Sequence, residues 1–275
     1  MKWPKVLISL MLLAAPFAHA DQGETLVLPI SRNFDQGSTG LCWDYAMMSA
    51  LETRYMVLHP GEKFELSRGI LQYEHFLAKA QENPVAPLHK APEDGYFGEA
   101  IDLIRTFGAA PFDAYPDAKK RNYESLRSLT NPAEFLAAVQ PMFAAIPEKV
   151  QWRGRALSPV DFANEILGQD HWTDIAVARH GEQGLGQNPD PGAAPGKTAL
   201  YLPLEQIVTL IKTNLQKGIP TAYATDTHSM LIYGARYDAN GQAVEYLIKD
   251  SFMGLLYKAN AYQIHNMMNL VNTIY

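Results

Sequence analysis

Residues 36–43 read Gln-Gly-Ser-Thr-Gly-Leu-Cys-Trp and contain the one cysteine of the 275-residue chain, Cys42. Apolar residues recur at helical spacing from Trp43 to Leu58, which predicts a helix that begins at or just before the cysteine and carries one apolar stripe. The thiol would then lie at a helix N-terminus, where unpaired amide groups and the helix dipole favour the thiolate. The stretch therefore predicts a nucleophile, although most free cysteines are small buried hydrophobes.

The residues before the cysteine suit an entry loop that supports acyl transfer. Gly37 and Gly40 allow the tight backbone turn that a side chain would obstruct. Gln36 lies six residues before Cys42, and we expect its side-chain amide to point toward the same place as the backbone amide of Cys42. Two converging donors are what a developing oxyanion requires.

A nucleophilic cysteine needs a base, and His228 stands out among the eight histidines by its context. The pattern predicts a helix over 203–217, ended by Gly218, and a short strand over 219–224. A second apolar, β-rich run follows His228 and continues to Tyr237. Turn residues occupy 238–241, and 242–251 reads as the returning strand of a hairpin.

If that hairpin is centred near Ala239, reflection places His228 directly opposite Asp250. Opposed residues have Cβ atoms roughly 4.5 to 5.5 Å apart, within reach of an imidazole–carboxylate hydrogen bond. A slip of one residue would turn one of the pair to the other face. Asp226, two residues before His228, is a rival carboxylate for the orienting role. The plainer alternatives are a core histidine and a strand-end carboxylate in water.

Several stretches resemble papain-like (C1) cysteine peptidases, in the order in which that family has them. The segment from Gln36 to Trp43 is similar to the signature around the family's catalytic cysteine. The other similar segments are Glu65-Leu66-Ser67, Gly95 to Ala100 with Gly108 and Tyr115-Pro116, Thr227 to Leu231, and Ile248 to Phe252. Residues 158–163 look more like the bleomycin-hydrolase branch than like papain itself.

The resemblance spans nearly the whole chain after residue 20 and implies an α+β, two-lobed fold. A helical lobe with the cysteine helix would pack against an antiparallel, β-barrel-like lobe, with a peptide or protein substrate in the cleft between them. Carried over by position, it implies Cys42 as nucleophile, His228 as general base and acid, Asp250 as orienting group and Gln36 as oxyanion donor. The reaction would pass through a thioester acyl-enzyme that water releases.

Several positions depart from the family's pattern. The step from Cys42 to His228 exceeds the roughly 130 to 150 residues typical of the family, so about 40 residues are inserted, in the region of about 119–202. Thr39 replaces a disulfide cysteine of many relatives, and Phe252 replaces a sheltering tryptophan. Asp250 replaces an asparagine. Because a thiolate–imidazolium pair leaves both ring nitrogens as donors, a carboxylate can serve as acceptor and should favour the charged histidine.

The N-terminus reads as a cleavable signal peptide over residues 1–20. Two lysines precede an apolar run over 6–17, and Ala18-His19-Ala20 is a small-x-small cleavage site before Asp21. A membrane anchor is the alternative, but about 12 apolar residues fall short of the roughly 20 that a bilayer requires. We expect one peptidase domain over 21–275, in a periplasm or outside the cell, without stable membrane insertion.

Charge and composition exclude several other classes of protein. A net charge of −6 and a pI near 5.7 argue against nucleic-acid binding. Neither a cofactor nor a metal is expected, because His171 and His180, nine residues apart with Asp174 between them, lack ligand spacing. Residues 181–196 read as an exposed loop. The Gly-Lys-Thr that starts at Gly196 lacks the spacing of a phosphate-binding loop.

Two other functions are compatible with the same residues. An amidase, deamidase or acyltransferase could use the same Cys-His-Asp set, and an inactive papain-shaped binding protein could retain it. If activity is restrained, the inserted region or the C-terminal residues 271–275 entering the cleft are the candidates. The sequence indicates neither the subsite preference nor the number of subunits.

Overall fold

A computed structural model describes residues 23–82, 92–117, 123–168, 174–179 and 200–274. Helices dominate the first half of the described chain. The helices of the whole described chain are α1 (Cys42–Leu58), α2 (Gly69–Glu82), α3 (Phe97–Phe107), α4 (Pro132–Val139), α5 (Pro159–Leu167), α6 (Leu204–Gln216) and α7 (Ala261–Met267). Short 3-10 turns lie at Glu124–Ser128, Gln140–Met142 and Phe252–Gly254.

Strands dominate the second half. The strands of the whole described chain are β1 (Thr25–Val27), β2 (Val150–Trp152), β3 (Arg155–Leu157), β4 (Asp174–Arg179), β5 (Leu200–Leu202), β6 (Thr221–Ala224), β7 (Ser229–Tyr237), β8 (Ala243–Asp250), β9 (Leu255–Asn260) and β10 (Leu270–Ile274). Strands β2 and β3 form a separate hairpin.

The main sheet has the order β5-β4-β10-β6-β7-β8-β9, and β1 adds to β7. Every ladder in it is antiparallel except β4 with β5. One face of the sheet packs on α1, whereas α6 and α7 cover the other. The expected α+β class and the packing of the cysteine helix against an antiparallel sheet are confirmed. Among the described strands no ladder joins β5 to β9, so the sheet does not close into a barrel.

Helix α1 begins at Cys42, as its sequence predicts, but it does not present a single apolar stripe. It is buried on almost every side, because the sheet contacts it on one flank and α3 on another. Leu58, which the periodicity placed in the stripe, is 50% exposed. Four polar residues are buried instead: Asp44, Ser49, Glu52 and Thr53. A central helix needs no polar face, so periodicity alone misjudged its surroundings.

The β7–β8 hairpin forms as predicted, but its register differs from simple reflection. Leu231 pairs with Lys249, and irregularities occur after Ile232 and after Arg236. Continued by one residue, this register places Asp250 opposite Met230 and diagonal to His228. The direct opposition of His228 and Asp250 was therefore wrong. Because the offset is two residues, both side chains remain on the same face.

Residues 271–274 lie within the sheet and not across the cleft, because β10 pairs with β4 on one side and β6 on the other. That position contradicts the idea that these residues enter the cleft and restrain activity, and Tyr275 lies outside the described residues. Several sequence predictions lie outside the described residues: the signal peptide over 1–20, the loop over 181–196, and the positions of His171 and His180. Within the described ranges, the helices are all too short or too polar to cross a bilayer.

Candidate active site

Cys42 is the first residue of α1 and is partly exposed to solvent. Leu41 occupies the N-cap position, and no side chain caps the helix there. The first amides of a helix have no partner within the helix, so the backbone N–H of Cys42 is available to a substrate oxygen. The helix therefore supplies both a nucleophile and a hydrogen-bond donor at one point.

His228 lies in the turn between β6 and β7, directly before β7 begins. Thr225 fixes this turn, because its hydroxyl accepts the backbone N–H of His228 at 3.1 Å and its own N–H donates to the His228 carbonyl at 2.8 Å. The turn thus fixes the backbone of His228. The ring is held by Asp250 of β8.

The His228 ring is hydrogen-bonded to Asp250, with 2.7 Å between Nε2 and Oδ1. The same oxygen accepts the backbone N–H of Phe252 at 2.8 Å, which fixes the carboxylate. Burial lowers the pKa of His228, but hydrogen bonds with Asp250 and Cys42 outweigh it and raise this pKa to about 9. Because Nε2 is engaged by Asp250, Nδ1 is the ring nitrogen left for the thiol. The structure therefore brings Cys42, His228 and Asp250 together.

The rival carboxylate has a different partner. Asp226 accepts a short hydrogen bond from the side-chain amide of Asn269. The sheltering role of the missing tryptophan is only partly filled, because Phe252 is 51% exposed and its ring meets His228 edge-on at 6.4 Å. The histidine–carboxylate pair is thus covered on one side and remains open to the cleft, with 23% of the His228 side chain exposed.

Gln36 is buried next to Ser251, which directly follows β8. Its side-chain oxygen accepts the Ser251 hydroxyl at 2.5 Å, its backbone N–H donates to the Ser251 carbonyl at 2.8 Å, and its Nε2 donates to the Thr39 carbonyl at 2.6 Å. Gln36 is not among the described residues that line the cleft cavity. One of its two amide hydrogens is committed to Thr39, which leaves one for a substrate.

The loop 92–97 forms the opposite wall of the cleft and is held against α1. The Trp43 indole N–H donates to the Glu93 carbonyl at 2.8 Å, and a β-carbon at Gly95 would lie 2.4 Å from the Trp43 ring. Only glycine permits that approach. Buried His75 adds a contact of 2.9 Å from Nε2 to the Pro92 carbonyl. This loop therefore packs directly on α1.

A cavity of about 550 Å³ opens beside the three residues, within the range of small-molecule and peptide side-chain sites. Loop 92–97 and α1 form one wall, and the ends of β6, β7 and β10 form the other. The cavity is lined by Gly40, Cys42, Trp43, Asp94, Gly95, Ala224, Thr225, Asp226, Thr227, His228, Ser229, Asn269 and Leu270.

Known proteins similar to this chain are found among solved structures. The chain matches no protein-family model and no curated protein sequence. Among solved structures it is similar to PepW from Lactobacillus rhamnosis HN001, with a TM-score of 0.61 and 16% identity over 90% of this chain and 80% of that one. The fold is papain-like.

A second neighbour of this papain-like fold is xylellain, a cysteine protease from Xylella fastidiosa. Its TM-score is 0.50 at 13% identity, covering 92% of this chain and 86% of that one. At such identities the likeness establishes the fold alone. The activity must be argued from this chain's own residues.

Three charged residues and one serine form a buried group that we call the buried ion cluster: Glu52, Arg68, Lys249 and Ser31. Two guanidinium nitrogens of Arg68 bind the two oxygens of Glu52 at 2.8 and 3.2 Å. Lys249 donates to the Ser31 hydroxyl at 2.6 Å, which in turn donates to Glu52. Burial lowers the pKa of Lys249 to about 8. The cluster joins α1, which carries Cys42, to β8, which carries Asp250.

Sequence reasoning missed part of this site. Asp94 directly precedes the segment that the resemblance assigned to the cleft, so its position could have been found. Ser229 and Leu270 depend on strand register, which the sequence did not supply. Within the described ranges, no group of three histidine, cysteine, aspartate or glutamate residues could hold a metal ion.

Proposed function

We propose that this protein is an exported cysteine peptidase that hydrolyses peptide bonds through a thioester acyl-enzyme. The observation that carries the proposal is the position of His228, which is hydrogen-bonded to Asp250 through Nε2 and lines the same cavity as Cys42. A nucleophile, a base and an orienting group in this order are the general requirement for covalent acyl transfer.

In the proposed mechanism Cys42 attacks as a thiolate beside the imidazolium of His228. His228 keeps its proton at neutral pH because its pKa is about 9. The thiolate attacks the peptide carbonyl carbon, and the electron pair of the C=O bond moves to the oxygen. The backbone N–H of Cys42 and the remaining amide hydrogen of Gln36 are the proposed donors to this oxyanion.

Collapse of the tetrahedral intermediate breaks the C–N bond. His228 donates its proton to the leaving amine, which departs and leaves a thioester on Cys42. The neutral imidazole then takes a proton from water, the hydroxide attacks the thioester, and the carboxylic acid product is released as the thiolate returns. Asp250 holds the ring in place throughout and stabilises its charged form.

Export and domain organisation belong to the same proposal. Residues 1–20 would be removed as a signal peptide, and residues 21–275 would form one peptidase domain with an insertion over about 119–202. The likeness of residues 158–163 to the bleomycin-hydrolase branch supports a relation to that branch. The mass of the mature protein tests the cleavage site, because removal of residues 1–20 leaves Asp21 as the first residue.

The decisive experiment for the activity is a thiol-labelling assay followed by a peptide-cleavage assay on the same preparation. We expect Cys42 to react with iodoacetamide at mildly acidic pH faster than a free thiol does, because the ion pair maintains the thiolate. Blocked peptides should then be cut by the unlabelled protein, and a peptidyl epoxide should abolish cutting. The Cys42→Ser variant is the matched control, since it retains shape and loses the thiolate.

Each outcome has a definite meaning. Rapid labelling with peptide cleavage supports the peptidase. Rapid labelling without cleavage of any peptide contradicts it and favours the amidase, deamidase or acyltransferase alternative. Labelling no faster than a free thiol would indicate an inactive binding protein.

A further inference from the structure

The floor of the cleft cavity is a row of residues across three neighbouring strands. Leu270 of β10 pairs with Ala224 of β6, and Ala224 pairs with Ser229 of β7. Residues directly opposite one another point to the same face of a sheet, and all three line the cavity. The floor is therefore apolar at Leu270 and Ala224 and ends in a hydroxyl at Ser229.

Two carboxylates stand on opposite rims of this floor. Asp226 follows the end of β6 and is held by Asn269, which precedes β10. Asp94 lies on the loop wall, with its Oδ1 only 3.5 Å from the point where a β-carbon of Gly40 would be. Burial, followed by the charge of Glu93, raises the pKa of Asp94. Of the described residues that line the cavity, none is a lysine or arginine.

Ser229 adds a polar atom to the end of the floor. The residue is 8% exposed and lines the cavity. A polar group of the substrate that reaches the end of the floor would meet this hydroxyl.

We propose that the cleft selects substrates with a basic side chain, lysine or arginine, at one of the three residues before the scissile bond. Its aliphatic stem would lie on Leu270 and Ala224, and its cationic end would reach Asp226, with Asp94 on the opposite rim. This inference rests on the proposed peptidase function and names the substrate class of the same site.

A long basic side chain fits this lining better than other groups do. Lysine and arginine combine an apolar stem with a charged end, which matches an apolar floor edged by carboxylates. An acidic side chain would face two like charges, and a purely apolar one would bring no charge to either carboxylate. A free α-amino group carries the same charge but has no stem to cover the floor.

The test uses N-acetylated fluorogenic peptides that differ only at one of the three residues before the cut. Arginine is compared with citrulline, its neutral isostere, and with leucine and glutamate. We expect arginine to be preferred over citrulline by about tenfold or more in kcat/KM at one of these positions, the range of a charge-assisted hydrogen bond. A parallel series with a free N-terminus and no basic side chain measures the contribution of an α-amino group.

Two variants locate the effect. Asp226→Asn should reduce the arginine-to-citrulline ratio to about threefold or less, because the amide oxygen can still accept from Asn269 while the charge is lost. Asp94→Asn, on the other wall, should reduce the ratio by a smaller factor. Glu134→Gln is the matched control, since Glu134 is an exposed carboxylate of α4 and should leave the ratio unchanged.

A ratio near one in the wild type, or a ratio that survives both substitutions, overturns this inference while the peptidase stands. A preference for free N-termini in peptides without a basic residue also overturns it. If Cys42 is unreactive and nothing is cut, the proposed function fails instead. Titration of the arginine and citrulline peptides into the Cys42→Ala variant then measures the same ratio as a ratio of Kd values.

Discussion

Two consecutive residues of β8 face opposite sides of the sheet and illustrate two uses of charge. Lys249 points toward α1, is 3% exposed and joins the buried ion cluster. Asp250 is 6% exposed and binds a histidine whose side chain is 23% exposed. Lys249 is enclosed by partners that take no part in the proposed reaction. The partner of Asp250, His228, must gain and lose a proton in that reaction.

Both residues are buried, so the difference teaches that the exposure of the partner determines what each charge can do. In the buried ion cluster each charged group has a partner within the protein, with Arg68 and Lys249 on either side of Glu52, so its contribution is to hold α1 against β8. At the cleft one side of His228 stays open, so a substrate can approach it. Substitutions in one set should therefore change stability, and substitutions in the other should change activity.

The largest effect is expected on activity, at Asp250. Asp250→Ala should lower kcat/KM by about 10² to 10⁴-fold, because the imidazole loses both its orientation and the stabilisation of its charge. The free energy of unfolding, measured by urea titration, should also fall at neutral pH, because the stabilisation from the pairing of His228 with Asp250 is lost.

Asp250→Asn is the control for this loss. Its amide oxygen can still accept the Nε2 proton, so much of the activity should remain. If both variants lose activity equally, the carboxylate has a role beyond accepting this hydrogen bond.

The next effect is expected on stability, in the buried ion cluster. Glu52→Gln should lower the free energy of unfolding by about 3 to 5 kcal/mol, because Arg68 and Lys249 then lack the carboxylate between them. Lys249→Met should cost only about 1 kcal/mol, because Arg68 still balances Glu52. Urea titration measures both, and an equal loss in the two variants would contradict this account of the cluster.

A smaller effect concerns pH. Because the pKa of His228 is raised from 6.5 to about 9, the stabilisation from its pairing is fully present below about pH 6.5 and is lost as pH rises through about 9. The profile of kcat/KM should fall on its alkaline side near pH 9. In Asp250→Asn the alkaline midpoint should move to lower pH, since the neutral amide favours the imidazolium less. An unmoved midpoint would assign this limb to another group.

The smallest effect is expected at Phe252. Phe252→Ala should lower kcat/KM by only a few fold, roughly the loss of one weak aromatic contact, because half of this side chain already faces solvent. Phe252→Trp should have the opposite sign, as a larger ring covers more of the histidine–carboxylate pair. A steady-state assay at one pH compares the three proteins.

The parts of the structure that depend on local sequence were the most predictable. The start of α1 at Cys42 and the β7–β8 hairpin follow from apolar spacing and turn residues close together in the chain. The register of the hairpin was harder, because two irregularities within it shift the pairing without a clear sequence signal. The diagonal placement of His228 and Asp250 still allows their hydrogen bond, since the shift is an even number of residues.

Features that join distant segments could not be predicted. Glu52 reads as one polar residue on a helix, and its enclosure by Arg68 and Lys249 depends on three segments that meet only in the folded chain. The same applies to the cavity floor, which requires the pairing of β10 with β6. Asp226 was considered for the wrong task, because proximity in sequence to His228 says nothing about the direction of its side chain.

The central place of β10 has a consequence for folding. Residues 270–274 follow all other described strands in sequence, yet they separate β4 from β6 in the sheet. The surface on which the cysteine helix rests is therefore completed only by the last of these strands. Deletion of residues 270–274 should prevent folding, because β4 and β6 then lose the strand between them.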